Sequence, residues 1–157
     1  MKSKSQSKKT KKIVMVSGGF DPVHIGHVRL FREAKKLGDE LVVVLNNDNW
    51  LRFKKGFAFM LETDRKEIIE SLKDVDRVII TTHPENTNDI SVCKEIEEIR
   101  PHVFANGGDR KHDNIPEYRL CKKLGIKMVF NVGEGGKIRS SSELVRQARK
   151  VKINIAK

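Results

Sequence analysis

Two histidines, His24 and His27, flank Gly26 in the run Gly18-Gly19-Phe20-Asp21-Pro22-Val23-His24-Ile25-Gly26-His27. That run directly follows the apolar stretch Ile13-Val14-Met15-Val16-Ser17. Types and spacing suit phosphate chemistry. Glycines let backbone amides approach phosphate oxygens closely, and a helix beginning here offers unpaired N–H groups and the positive end of its dipole. Imidazoles at i and i+3 share one helix face, so both can donate to one phosphate chain and to charge developing on it. Gly18, Gly19, Phe20, Asp21 and Gly26 are therefore candidates to line a triphosphate site, with His24 and His27 as its chemical groups. The plain alternatives are a structural turn with two satisfied histidines, or a metal pair. A metal would want a third ligand, and His83, His102 and Cys93 stand at no helpful spacing, so no metal ligand is assigned.

Three further clusters carry chemistry. Gly135-Gly136-Lys137-Ile138-Arg139-Ser140-Ser141-Ser142 is a basic, glycine-rich loop opening a helix, which makes Lys137, Arg139, Ser140 and Ser141 a second anion site; a surface loop with a capping serine is its plainer form. In Asn106-Gly107-Gly108-Asp109, backbone amides at Gly107 can read a base or ribose and Asp109 can accept from either; a tight turn alone would also use these glycines. Lys54 and Lys55 follow the second apolar run by a short loop, either reaching phosphate or simply solvated beside Arg52. The nearby aromatics Trp50, Phe53, Phe57 and Phe59 suit packing on the core, against a platform for a second substrate or a dimer contact.

These clusters need elements to hold them. Strands are expected at Ile13–Ser17, Leu41–Asn46, Arg77–Thr81, His102–Asn106 and Lys127–Asn131, each an apolar run without strict alternation, as in parallel strands buried on both faces. Helices are expected between them. Val28, Phe31, Ala34 and Leu37 mark the first, with Gly38 as its stop. Ile68, Ile69 and Leu72 mark the second; Asn88 caps a third carrying Val92, Ile96 and Ile99; Pro116 opens a fourth ending near Gly125. Ser140 with Glu143 makes a capping box for a helix over Ser140–Lys150. The rhythm predicts an α/β fold: a Rossmann-like, doubly wound, five-stranded parallel sheet with helices on both faces. Ligands in such sheets sit beyond the C-terminal strand ends, where every cluster above falls, as do Asn46 and Asp48 after the second strand. Neither a dinucleotide fingerprint nor a P-loop ending is present.

The chain of 157 residues suggests one domain over 13–150, between a disordered basic tail at 1–12 and an extension at 151–157. Six of the +11 net charges are lysines in residues 1–12, leaving +5 for the rest. The tail reads as solvated chain rather than a nucleic-acid anchor. No apolar run is long enough to span a membrane, no secretory signal is visible, and Cys93 and Cys121 lie far apart in sequence, as suits a reducing cytoplasm.

From Ile13 to about Gln147 the chain resembles the cytidylyltransferase-like nucleotidyltransferases, whose His-x-Gly-His signature matches His24-Ile25-Gly26-His27. Leu61-Glu62-Thr63-Asp64-Arg65 is similar to the Glu-x-x-Arg that opens a family helix, and Val75-Asp76-Arg77-Val78 to its Val-Asp-x-Val. Asn106-Gly107-Gly108-Asp109 resembles the Gly-Gly-Asp of the heptose-1-phosphate adenylyltransferases; glycerol-3-phosphate cytidylyltransferase is the other near branch. The resemblance implies that a phosphorylated alditol, sugar or related compound attacks the α-phosphorus of CTP or ATP and releases pyrophosphate, with Mg²⁺ on the nucleotide. His24 and His27 would hold the phosphates, Lys54 would reach them, and Asn46, Asp48, Lys55 and Arg65 would meet the acceptor. For Arg65 the plainer role is a surface ion pair with Glu62 or Glu70. Gly135 stands where the family's C-terminal loop has an arginine, leaving Lys137 or Arg139 to supply the cation. A homodimer is the expected assembly. Two other classes compete. His-Ile-Gly-His also occurs in class I aminoacyl-tRNA synthetases, but their lysine-rich partner loop is only faintly matched by Lys137-Ile138-Arg139-Ser140-Ser141, and the chain lacks room for a tRNA-binding domain. A non-catalytic nucleotide- or nucleic-acid-binding protein would rest on the basic tail alone.

Overall fold

In β1 (Ile13–Gly18), Val14 and Val16 face one core and Met15 faces another, and all three are fully buried. A strand with apolar side chains on both faces must be covered on both sides. The computed structural model describes residues 10–108, 110–111, 115–133 and 139–151. It contains β2 (Glu40–Leu45), β3 (Arg77–Ile80), β4 (Val103–Ala105) and β5 (Lys127–Val129), all parallel, in the order β3-β2-β1-β4-β5. The order reverses beside β1. Right-handed crossovers therefore lay helices on one face for the β1–β3 half and on the other for β4–β5. Phe31 and Ala34 of α1 (Ile25–Lys35) and Ile69 of α3 (Glu62–Glu70) join the Val14 core. Ile96 of α4 (Cys93–Ile99) and Cys121 of α5 (Tyr118–Leu124) join the Met15 core. The last helix is α6 (Ser141–Val151).

The expected sheet and its five strands are present, with strand ends shifted by one or two residues. Asp76, in the Val-Asp-x-Val segment, accepts from Leu41 N at 2.6 Å and Lys35 Nζ at 2.5 Å, which pins the end of α1 and the start of β2 to the start of β3.

Several local expectations need correction. The region after β2 is no loop: α2 (Asp48–Lys55) forms there, capped by the Asn47 side chain on Trp50 N and ended by left-handed Gly56. Only Trp50 and Leu51 of its apolar residues are buried, so the helical spacing of apolar residues never develops. Gly38 is not a left-handed stop; α1 ends on Lys36, and Gly38 is needed because a Cβ there would lie 2.5 Å from Lys12 O. The N-cap of α4 is Val92 rather than Asn88. Gly125 does end α5 in the left-handed region, as expected. The tail boundary also moves: Lys12 N donates to Asp39 Oδ2, and Lys12 O accepts from Asp39 N, so this lysine is part of the fold. Residues 1–9 and 152–157 of the two expected extensions lie outside the described residues.

Candidate active site

The turn after β1 folds its side chains onto its own backbone. Phe20 takes positive φ and sets its ring edge-on to both His27 and Phe31, at 4.9 and 5.1 Å. His24 is the N-cap of α1: its Nδ1 accepts from Gly26 N at 3.1 Å, while His24 N donates to His27 Nδ1 at 3.2 Å. This is a reciprocal capping box made of two imidazoles. The rings stack with centroids 3.7 Å apart. Because each Nδ1 accepts a backbone hydrogen, each neutral ring carries its proton on Nε2. Gly26 is required by the histidine itself, since a Cβ there would come within 2.9 Å of the His24 ring.

Burial keeps both rings neutral. The His27 pKa is lowered to about 3, first by burial and then by the charges of His24 and Lys55. His24 is lowered by burial, then by Arg139 and Lys55. Lys55 is itself pushed down by burial, partly offset by Asp21. A neutral imidazole pair flanked by cations offers hydrogen-bond donors to an anion without needing to lose protons to it.

A cleft of about 280 Å³ opens at this point, between the C-terminal ends of β1 and β4, where the strand order reverses. It brings together most of the expected residues. Gly18, Gly19, Phe20, His24, Gly26 and His27 line it from the first turn. Gly107 lines it from the β4 side, Ser140 and Ser141 from the start of α6, and Lys55 and Arg139 supply cations. Ser141 Oγ donates to Pro22 O at 3.0 Å, tying α6 to the first turn. Of the two basic residues expected to stand in for the family arginine, Arg139 lines the cleft. Asp109 and Lys137 lie outside the described residues. Arg110 and Ser142 also line the cleft, although residue types alone did not single them out; Arg110 directly follows the Gly-Gly-Asp run.

Other expected residues sit elsewhere. Arg65 is fully buried and belongs to the scaffold, neither touching the cleft nor pairing on the surface. Its Nη1 donates to Gly19 O (2.6 Å) and Asn46 O (2.8 Å), its Nε to Met60 O (3.1 Å), and its Nη2 to Asp48 Oδ1 (2.6 Å). Asp48 is thereby committed, and its amide donates to Glu62 Oε2. Asn46 is buried beneath the turn, its N bonded to Gly18 O. Arg65 and Asn46 bond the turn's backbone, Asp48 acts through Arg65, and none of the three lines either cleft. The Asp21 carboxylate accepts from Phe59 N and Met60 N at 2.6 and 2.7 Å, binding the α2–α3 loop to the turn. Asp21 and Lys54 line a second cleft beside the first. Among the described residues no three His, Cys, Asp or Glu side chains gather as a metal site. No described helix is long and apolar enough to cross a membrane.

The model of the family described as cytidylyltransferase-like matches residues 15–151. The chain belongs to that family. It is a nucleotidyltransferase, as its relatives' names also indicate. An FAD synthase of Aciduliprofundum boonei is 41% identical over 115 residues, covering 73% of each chain. An FAD synthase of Thermoplasma volcanium is 35% identical over 133 residues, covering 83% of this chain and 89% of that one. The bifunctional protein HldE of Desulfatibacillum aliphaticivorans is 32% identical over 122 residues, covering 76% of this chain and 24% of its own length. Among solved structures, the lipopolysaccharide core biosynthesis protein of Thermoplasma volcanium superposes with a TM-score of 0.63 at 32% identity, covering 76% of this nucleotidyltransferase and 95% of that chain.

Proposed function

We propose that this nucleotidyltransferase transfers AMP from ATP to the phosphate of FMN, forming FAD and pyrophosphate. The observation that carries the transfer chemistry is the stacked, neutral histidine pair, both rings lining the cleft and neither Nε2 bonded to a described residue. The choice of ATP and FMN is supported by relatives named FAD synthase that align along most of the chain. FAD is FMN joined to AMP through a pyrophosphate, so its synthesis needs one new P–O bond. An FMN phosphate oxygen attacks the α-phosphorus, the α–β bridging bond breaks, and pyrophosphate leaves with the electron pair.

A phosphate monoester is largely dianionic at pH 7, its second pKa being about 6, so the nucleophile needs no general base. Catalysis then rests on alignment and charge neutralisation. His24 and His27 donate from Nε2 to phosphoryl oxygens as charge accumulates, α1 adds the positive end of its dipole, and Lys55 and Arg139 balance the triphosphate. Gly107 contributes backbone to the nucleoside end. A divalent ion would enter as part of the metal–nucleotide substrate, its charge offsetting that of the phosphates.

A second reading, adenylyl transfer to a sugar phosphate, draws on the HldE relative and on the superposed lipopolysaccharide core biosynthesis protein. Assays pairing ATP or CTP with FMN or a heptose phosphate separate them. FAD formed from ATP and FMN, with little from CTP, is the expected result; pyrophosphate release only with the sugar phosphate would overturn the flavin assignment.

A further inference from the structure

The second cleft, about 370 Å³, lies between α2 with its following loop and α6. It shares Lys55 and Ser142 with the histidine cleft. Lys54, Lys55, Arg146 and Arg149 give it four cations against one carboxylate, Asp21, which is engaged by two backbone amides. Phe57 and Val145 supply an apolar wall, with the Arg149 guanidinium 4.8 Å over the Phe57 ring. Among the described residues Arg146 approaches Glu143 at 3.9 Å, both well exposed, an arrangement worth little to the fold.

We infer that this cleft is the acceptor site, with Arg146 and Arg149 as specificity-determining residues that hold the acceptor's phosphoryl group. The inference rests on the nucleotidyl-transfer reading. In-line displacement requires the attacking phosphoryl oxygen and the α-phosphorus to meet at one boundary. Lys55 and Ser142 are the residues that border both spaces. An acceptor entering between α2 and α6 points its phosphoryl group at that boundary. Arg146 and Arg149 line that space and would take its two non-attacking oxygens, with its body against the apolar wall of Phe57 and Val145. Guanidinium groups suit this role because their planar donors match phosphoryl oxygens in pairs. The ligand class is a phosphomonoester with a planar or apolar body.

Flavin-fluorescence titrations of the full chain with FMN and with riboflavin, alongside ATP binding, test the assignment. Arg146→Ala/Arg149→Ala is expected to weaken FMN binding at least tenfold while riboflavin and ATP affinities change less than twofold. Arg146→Lys/Arg149→Lys should recover part of the loss, which separates lost charge from misfolding. Unchanged FMN affinity, or equal losses for FMN, riboflavin and ATP, would overturn it. If the wild type does not bind FMN, the flavin reading fails by itself. The same variants are then assayed with whichever phosphomonoester drives pyrophosphate release from the wild type. A selective rise of at least tenfold in its KM supports the acceptor site, and an unchanged KM overturns it.

Discussion

Around the end of β1, each key polar side chain is fixed by backbone: His24 and His27 by the first turn of α1, Arg65 by three carbonyls, Asp21 by two amides. Across Lys55, the cleft between α2 and α6 is lined by Lys54, Arg146 and Arg149 on exposed positions. One half is built before ligand arrives; the other presents long cations that settle on it. The difference suits a reaction whose invariant part is a triphosphate and whose variable part is an acceptor. Rigid donors lose little freedom when charge develops, whereas flexible cations adapt to shape at an entropic cost.

The sharpest way to break this contrast is at the rigid half's foundation. Arg65→Ala leaves Asp48 buried without its cation and orphans carbonyls of Gly19, Asn46 and Met60. Denaturant unfolding should show a loss of about 3–5 kcal/mol, as for other broken buried ion pairs. A stable variant with only a raised acceptor KM would return Arg65 to the substrate. Next, His27→Ala should cost about 3 kcal/mol in kcat, roughly a hundredfold or more, by loss of a donor to the transition state, with acceptor KM little changed. Steady-state rates read this directly.

A subtler probe is acid. The His27 pKa near 3 means that, between pH 6.5 and 3, the unfolded chain binds a proton the folded one refuses. Stability contributed by this neutral ring is complete above 6.5 and declines as pH falls, by up to about 1.4 kcal/mol per pH unit. Thermal melts of His27→Gln should decline less steeply than wild type from pH 7 to 5; parallel slopes would remove the buried neutral imidazole from the account. The smallest effect is expected of Gly26→Ala, whose methyl crowds the His24 ring. Losing that cap should cost about 1 kcal/mol in stability, with a smaller fall in turnover than His27→Ala.

What could be read from residues alone followed the range of the interactions. The histidine pair and the glycine turn were legible because their partners are neighbours in sequence, and the parallel sheet because its strands are apolar throughout. Arg65 and Asp48 looked like substrate ligands because their partners are 17 residues apart or are backbone carbonyls, which no residue type reveals. The helix α2 was hidden by exposed Phe53 and Lys54 on its surface, although Asn47 and Gly56 marked both ends. Arg146 and Arg149 drew no reading from the sequence; only folding α6 against the Phe57 loop gives them a shared cleft.

The central claim is that two clefts divide nucleotide activation from acceptor binding and meet at Lys55. An initial-rate matrix over ATP and FMN, for wild type, His27→Ala and Arg146→Ala/Arg149→Ala, tests it most directly. The account predicts FAD and pyrophosphate in equal amounts from wild type, a kcat loss without a large change in FMN KM for the histidine variant, and a raised FMN KM with ATP KM preserved for the arginine variant. Equal changes in both substrates' KM values for the arginine variant, or normal turnover without His27, would contradict it.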